Sequence, residues 1–379
     1  MDFTLTEEQK MLKAMVKDFA EKELEPIAAE LDKNSRFPTE SINKLGNLGL
    51  LGLSFPEEYG GGGGGIIESN LATEEISRVC AATGTIYFVT TGLAGYPIYQ
   101  YSNEEQRKRF VPPLASGQKL SAFALTEAGA GSDPSSMETT AVRCDKGYII
   151  NGNKNFITNG KEADLILVFA TINKELKHKG ITAFVVEKGT PGFSVGKLEH
   201  KLGIRASSTA ELIFDNCFVP EENRLGREGD GFKIALNAID KSRVSVAAQA
   251  VGISQGAFEK SLEYAKERQQ FGQFISNFQA IQWMLADMAT RIDAARLLTY
   301  RAAYLQDHDL PFVKEACMAK LFSAEVAVWV TNKAIQIFGG YGYVQDYPLE
   351  RYYRDAKITE IYEGTSEMQR LTIARNLLR

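Results

Sequence analysis

Hydrophobic periodicity changes twice along this chain. Thr6 and Gln9 have capping-box spacing, and Met11, Leu12, Met15, Val16, Phe19 and Ala20 recur at the three-to-four interval of a helix. Further helices are expected at Thr39 to Leu50, Leu71 to Ala82 and Asn103 to Leu114. From about Ser121 the texture becomes short β-branched or aromatic runs punctuated by turns: Tyr148 to Ile150 before Asn151-Gly152, then Asp164 to Thr171, Ile181 to Glu187 and Glu211 to Phe214. At about Gly231 helical spacing returns, through Phe258, Leu262 and Ala265, then Ile281, Met284, Leu285, Met288, Ile292 and Ala295, then a third helix opening near Pro311. The layout is helical, then β, then helical, with expected domains at 1–120, 121–228 and 229–379. Strands and helices do not alternate, which argues against a Rossmann fold. The run Gly60 to Gly65 formally contains GxGxxG, but Pro56-Glu57-Glu58-Tyr59 rather than a strand precedes it, so it reads as a flexible loop.

At 379 residues and 44% hydrophobic, the chain can supply cores for two or three domains. Forty-three Lys and Arg against 48 Asp and Glu leave a net charge of -5, without the basic excess that nucleic acid binding needs. No apolar run approaches a membrane span, and Met1-Asp2-Phe3-Thr4 starts unlike a signal peptide. Cys80, Cys144, Cys217 and Cys317 show no paired spacing and read as reduced core thiols. His178, His200 and His308 lack ligand spacing and read as surface residues, so neither a metal site nor histidine acid–base chemistry is expected.

Several segments could carry chemistry. Leu125 through Asp133 offers small residues and hydroxyls whose backbone N–H groups can approach a ligand's oxygens, or is a plain surface turn. Asn155-Phe156-Ile157-Thr158-Asn159-Gly160 presents a ring, a hydroxyl and backbone donors that suit a planar ligand, or closes a hairpin. In Ile361-Tyr362-Glu363-Gly364-Thr365-Ser366-Glu367 the acid stands before a glycine. Ser366 and Gln369 have capping-box spacing, so Glu363 falls on a bend outside the final helix. There a carboxylate can act as base beside backbone donors, or can simply be solvated. Arg268-Gln269-Gln270-Phe271-Gly272 and Gln336 through Tyr343 interrupt helical patterns and read alone as a helix hairpin and a flexible turn. Asp240-Lys241-Ser242-Arg243 reads alone as an exposed charged face.

Taken together in order and spacing, these blocks, with Pro56 through Gly60, resemble the acyl-CoA dehydrogenase family over essentially the whole chain. The resemblance implies an α+β fold with an N-terminal helical domain, a middle β-barrel-like domain and a C-terminal four-helix bundle, matching the layout above. It implies FAD between the β domain and the bundle. Phe123, Leu125, Thr126, Gly131 and Ser132 would bind flavin ring and phosphate edge, and Phe156, Ile157 and Thr158 would lie along the isoalloxazine. Many members carry Trp where this chain has Phe156, which covers less area and lacks the indole donor. Arg268, Phe271, Gln279, Gln336, Gly339 and Gly340 match positions that reach the FAD of a neighbouring subunit, implying a homotetramer built as a dimer of dimers. Thr365 and Glu367 match further flavin contacts. Ser132, Asp240, Arg243 and Gly364 match positions lining the acyl-CoA.

By the same resemblance Glu363 is the base that removes the proton α to the thioester while hydride leaves the β carbon for the flavin. Some members place the base near Asp240 to Arg243, where Asp240 is the only acid here, and another branch uses an acid near Tyr87 to Ala94, where this chain has none. The expected reaction is therefore α,β-dehydrogenation of a short-chain, branched or alicyclic acyl-CoA in fatty acid metabolism, with electrons passed to an electron-transfer flavoprotein. The expected setting is the bacterial cytosol, or the mitochondrial matrix for a processed eukaryotic chain, without membrane insertion. The alternatives are an acyl-CoA oxidase using oxygen and a non-catalytic helical scaffold of the same fold.

Overall fold

The computed structural model describes residues 4–378, so Met1, Asp2 and Phe3 of the opening segment lie outside the described residues. The capping box forms as expected: the Gln9 N–H donates to Thr6 Oγ1 at 3.2 Å and the Thr6 N–H to Gln9 Oε1 at 3.0 Å, starting α1 (Glu7–Phe19). A π-helical turn leads into α2 (Glu25–Asn34), and α3 (Thr39–Asn47), α4 (Ile66–Val79), α5 (Ala81–Phe88), α6 (Tyr96–Tyr101) and α7 (Glu104–Ala115) follow. A π-helical stretch, Val89–Gly95, joins α5 to α6. The Gly60 to Gly65 run is not a flexible loop. Backbone N–H groups of Gly61, Gly62, Gly63 and Gly64 donate to the carbonyls of Pro56, Gly52, Phe55 and Leu53 at 2.8–3.0 Å. A Cβ on Gly61 would fall 2.0 Å from the Phe55 carbonyl oxygen, so the glycines are there to let two backbones touch.

The middle domain contains β1 (Ser121–Ala124), β2 (Thr140–Cys144), β3 (Gly147–Thr158), β4 (Leu165–Thr171), β5 (Ile181–Glu187), β6 (Phe193–Leu198), β7 (Thr209–Pro220) and β8 (Arg224–Leu225). The order is β6-β7-β3-β2-β4-β5-β8, with β1 parallel on β4. A single pair, Thr140 with Thr171, joins β2 to β4, and about that join the sheet folds over itself. Every residue of β4 is buried. Leu165, Leu167 and Phe169 pack with Phe110, Val111 and Ile234 of the helices, while Ile166, Val168 and Ala170 pack inside the sheet with Ile150, Leu212 and Phe214. This two-sided burial explains the unbroken apolar run in its sequence. Neither Asn-Gly step makes a hairpin. At Asn151-Gly152 β3 continues through a register shift, and Asn159-Gly160 ends a strand whose neighbours are β2 and β7.

The C-terminal part begins with α8 (Gly231–Glu267), followed by a β-hairpin of β9 (Gln269–Gln270) and β10 (Gln273–Phe274) rather than a helix hairpin. Phe271 and Gly272 turn it at φ 52° and 75°, the double positive φ that two-residue hairpins require. Then come α9 (Gln279–Asp307), α10 (Val313–Phe338), α11 (Gly340–Tyr343), α12 (Leu349–Ala356) and α13 (Ser366–Leu377). Helix α10 packs on α8, α9 and α13, and α8 also packs on α4. That last contact is close: a Cβ on Gly252 would stand 2.2 Å from the Glu74 carbonyl and one on Gly256 2.0 Å from that of Arg78. Both helical regions thus share one apolar core, with Tyr362 packed against it.

Of the cysteines, Cys80, Cys217 and Cys317 are buried free thiols as read, but Cys144 is exposed because β2 ends there at the sheet rim. The three histidines are exposed.

Candidate active site

After α12 a 3-10 turn, Lys357–Glu360, leads to the Tyr362-Glu363-Gly364 bend. Glu363 has φ 52° and Gly364 φ 92°, which breaks the helix before α13. The cap of α13 is Thr365, whose Oγ1 accepts from the Met368 N–H at 3.3 Å, not the Ser366–Gln369 box suggested by spacing. Gln369 is buried and turned back instead, its Nε2 donating to the Glu363 carbonyl at 3.2 Å and the Gly364 carbonyl at 2.8 Å. Lys320 of α10, wholly buried, donates from Nζ to the same Gly364 carbonyl at 2.7 Å.

The Asp240-Lys241-Ser242-Arg243 turn of α8 is not an exposed charged face. Ser242 and Arg243 are buried, and Arg243 pairs with Asp240 and contacts Cys317 Sγ at 3.3 Å. Three buried polar atoms of this bend and turn lack a partner among the described residues: Glu363 Oε2, Ser242 Oγ and Arg243 Nε. Native structures seldom leave such atoms orphaned, so together they fit a cleft that receives a polar ligand. Burial pushes the Glu363 carboxyl from its ordinary 4.5 up to about 7, against the opposing pull of the Ser242 hydroxyl and the cations of Lys320 and Arg243.

Tyr362 adjoins a polar plug. Its hydroxyl donates to Gln249 Oε1, while Gln249 Nε2 donates to the Ala81 carbonyl at 3.0 Å and Thr85 Oγ1 at 2.7 Å. The Phe88 ring meets Tyr362 edge-on at 6.3 Å. Gln249 thereby ties α8, α5 and the bend together. Sequence reasoning gave it no role, although one amide within Ala247-Ala248-Gln249-Ala250 was a visible oddity.

The β-domain segments also meet. The Asn155 N–H donates to the Thr126 carbonyl at 2.8 Å, and the wholly buried Lys154 ammonium donates to the Leu125 carbonyl at 3.0 Å and Glu127 Oε1 at 2.7 Å. Glu127 in turn accepts from the N–H groups of Glu138 and Thr139. Burial disfavours the Glu127 carboxylate, but Lys154 and the backbone donors outweigh it and hold it below the usual range, while burial brings Lys154 down to about 8. Around this clamp the loop is open. Nothing lies within 4 Å of where Gly129 or Gly131 would carry a Cβ, and Phe156, at φ 59°, is 64% exposed. Ile157, by contrast, points into the sheet core, so its side chain cannot lie along a flavin; alternation along β3 turns it away from Phe156 and Thr158. Leu125 is likewise buried, and the Phe123 ring meets that of Phe169 at a tilt of 56°, 4.9 Å between centres.

Arg268, Gly339 and Gly340 line a separate cavity of about 550 Å³ with Tyr264, Phe338 and Tyr341. Arg268 lies 5.6 Å from the Tyr341 ring centre. Gln336 accepts the Gly339 N–H, Gln279 opens α9, and Phe271 stands 94% exposed at the hairpin tip. At about 1.5 Å per residue along α8, Arg268 stands about 38 Å from Arg243. Thr365 and Glu367 instead sit beside the Glu363 bend.

Comparison with known proteins identifies the family and the fold. The family models for the acyl-CoA dehydrogenase N-terminal, middle and C-terminal domains match residues 6–118, 122–217 and 229–378. The short-chain specific acyl-CoA dehydrogenase of Clostridium acetobutylicum is 51% identical over 379 residues, covering 100% of both chains. The butyryl-CoA dehydrogenase structure from Megasphaera elsdenii superposes with a TM-score of 0.98 at 46% identity, covering 100% of each chain. A chain from structural work on the electron-transferring flavoprotein of Acidaminococcus fermentans and flavin-based electron bifurcation gives 0.99 at 52%, again covering 100% of each. The chain belongs to the acyl-CoA dehydrogenase family, whose members are FAD flavoproteins. Its open glycine loop and exposed Phe156 fit such a cofactor. Among the described residues no His, Cys, Asp and Glu cluster could hold a metal, and no helix is long and apolar enough to cross a membrane.

Proposed function

We propose that the protein dehydrogenates short-chain acyl-CoA thioesters to 2-enoyl-CoA and passes the electrons to an electron-transfer flavoprotein. The observation carrying this is Glu363, on a left-handed bend, whose buried Oε2 lacks a partner among the described residues as do the buried Ser242 Oγ and Arg243 Nε of α8, with the cations of Lys320 and Arg243 acting on its carboxyl. FAD would be held by the 123–132 loop, by Phe156 and Thr158, and by Thr365 and Glu367; when bound it accepts hydride from the substrate's β carbon. Phe156 would offer it a ring face and Thr158 a hydroxyl, while the side chain of Ile157, packed in the sheet core, would take no part.

The chain's own part is proton removal and charge control. Glu363 takes the α proton, which is weakly acidic and leaves only if the developing enolate oxygen is stabilised. The Glu363 backbone N–H is the protein's donor to that oxygen. An elevated carboxyl pKa makes Glu363 a stronger base, and an acyl chain that expels water from the cleft strengthens it further. Asp240 and Arg243 line the thioester side and Ser132 the approach of the CoA. The Gln249–Tyr362 plug closes the inner end, which supports a short acyl group, as do the names of the relatives.

The separation of Arg268 from Arg243 along α8 supports a subunit role for the Arg268, Phe271, Gln279, Gln336, Gly339 and Gly340 group: it completes a neighbour's FAD site in a homotetramer. Four free cysteines accord with work in the cytosol.

Anaerobic flavin bleaching by a panel of straight, branched and cyclic acyl-CoAs tests the proposal. Short acyl-CoAs should bleach fastest, and Glu363→Gln should keep FAD and bind substrate but not bleach. Near-normal reduction in that variant would move the base elsewhere. Rapid oxygen consumption without another acceptor would favour an oxidase.

A further inference from the structure

Beside the proposed base stands a buried charge that the proton-abstraction scheme does not use. Lys320 sits on α10 with no solvent exposure, among Ala316, Cys317, Ala319 and Ser323, all buried. Burying an ammonium is costly unless it is paired, and among the described residues Lys320 has one hydrogen bond, to the Gly364 carbonyl at 2.7 Å. That carbonyl also accepts from Gln369, so two side chains from different helices converge on the peptide following Glu363. Glu363 itself holds φ 52°, a conformation uncommon for a residue with a side chain and one that persists only where its surroundings enforce it.

We infer that Lys320 is a positioning residue for the base: its ammonium pins the Gly364 carbonyl, fixes the left-handed turn at Glu363, and supplies the positive charge that keeps this carboxylate usable once water has been expelled. The inference rests on Glu363 being the base. The two roles are inseparable in the wild type, since the ammonium that donates to the Gly364 carbonyl, one residue from Glu363, also acts electrostatically on the Glu363 carboxyl. The charges around Lys320 are Glu363 on the bend, Arg243 on α8, Glu360 on the preceding turn, Glu367 on α13 and the Cys317 thiol on its own helix. Burial brings the ammonium down to about 8, with Arg243 pushing the same way and Glu363 and Glu360 opposing. It is therefore mostly charged at neutral pH and loses that charge in mildly alkaline solution. Gln369 cannot substitute, because an amide can hold the carbonyl but brings no charge.

Two substitutions separate the roles. Lys320→Gln keeps a donor of shorter reach and removes the charge; Lys320→Met removes both. In the FAD-loaded enzyme, each should retain flavin and leave KM for a short acyl-CoA within about twofold, while the acid limb of flavin reduction moves upward by about one pH unit or more, the usual size of a neighbouring-charge effect. Lys320→Met should lose more rate than Lys320→Gln, because its bend is also released. Independently of turnover, the protonated-carboxyl band of Glu363 in difference infrared spectra, with Glu363→Gln as the blank, should persist to higher pH in both variants. Ethylammonium added to Lys320→Ala should restore rate where sodium chloride at equal ionic strength does not.

An unshifted limb and an unshifted infrared band in folded, flavin-loaded variants would overturn the inference. So would loss of fold in all three variants, which would mark Lys320 as a purely structural residue. If wild type itself fails to bleach with any acyl-CoA, the function is at fault rather than the role of Lys320.

Discussion

A base primed by burial must cost the fold something, and the cost can be measured without turnover. In the unfolded chain Glu363 loses its proton near its ordinary 4.5; in the native cleft it does so near 7. Between those values the native state retains a proton that the unfolded state has released, so raising pH through that window favours unfolding. Below about 4.5 both states are protonated and the cost is absent; above about 7 both are ionised and it is complete. Its ceiling is roughly 3 kcal/mol, because water reaching the cleft screens part of the charge. Glu363→Gln removes the ionisation and leaves a neutral side chain of similar shape. The stability of the variant relative to wild type should therefore widen in the variant's favour by roughly 2 kcal/mol between about pH 5 and about pH 8. Urea denaturation of the two flavin-loaded proteins at both pH values reads this directly, since groups common to both cancel. Parallel pH dependences would show that Glu363 titrates ordinarily, and the claim that burial prepares it as a base would fail with them.

The clamp behind the flavin loop makes a second prediction. Lys154→Met leaves Glu127 buried without its cation and should cost about 3–5 kcal/mol, with flavin content falling as the Leu125 and Glu127 anchors loosen; a loss below about 1 kcal/mol with full flavin would show that the pair is dispensable. A third concerns assembly. Arg268→Ala should weaken FAD retention and lower the assembly state while leaving the monomer fold intact, as read by sedimentation and flavin absorbance. A tetramer with full flavin occupancy would refute the reading of the Arg268 cavity as half of a neighbour's site.

Glu363 was legible because its signal is local: a glycine follows it and a helix start follows that, so spacing alone puts the acid on a bend. The segments proposed to hold flavin stood out as small residues and turns clustered within ten positions, but a flavin role for them was implied only by the family resemblance. Misreadings arose where one local pattern fits two environments. Asp240 and Arg243 one turn apart make an ion pair on a wet face or a buried one equally well, and only the bend far along the chain decides which. The Gly60 to Gly65 run looked free because the backbone filling the space beside it belongs to Leu53 and Phe55, which carry no mark of that use. Ile157 could have been assigned inward from alternation, but likeness to a flavin-facing segment drew all three residues toward the ligand.

Lys154, Gln249 and Lys320 were missed for a further reason. Gln249 and Lys320 are polar side chains in apolar helical stretches, Lys154 is a buried cation between Asn153 and Asn155, and each has its partners in a distant segment: Lys154 on Leu125 and Glu127, Gln249 on Thr85 and Tyr362, Lys320 on Gly364. Helix or strand spacing says such a side chain will be buried but not what it will meet. Energetics narrows the answer, because a buried cation or amide must find a carbonyl, carboxylate or hydroxyl. For the two lysines the backbone partners found are irregular pieces that regular hydrogen bonding leaves open: the Leu125 loop and the Gly364 bend. A buried cation is therefore best read as support for a loop elsewhere, and in this chain the two loops so supported are the ones to which the proposed function assigns the chemistry.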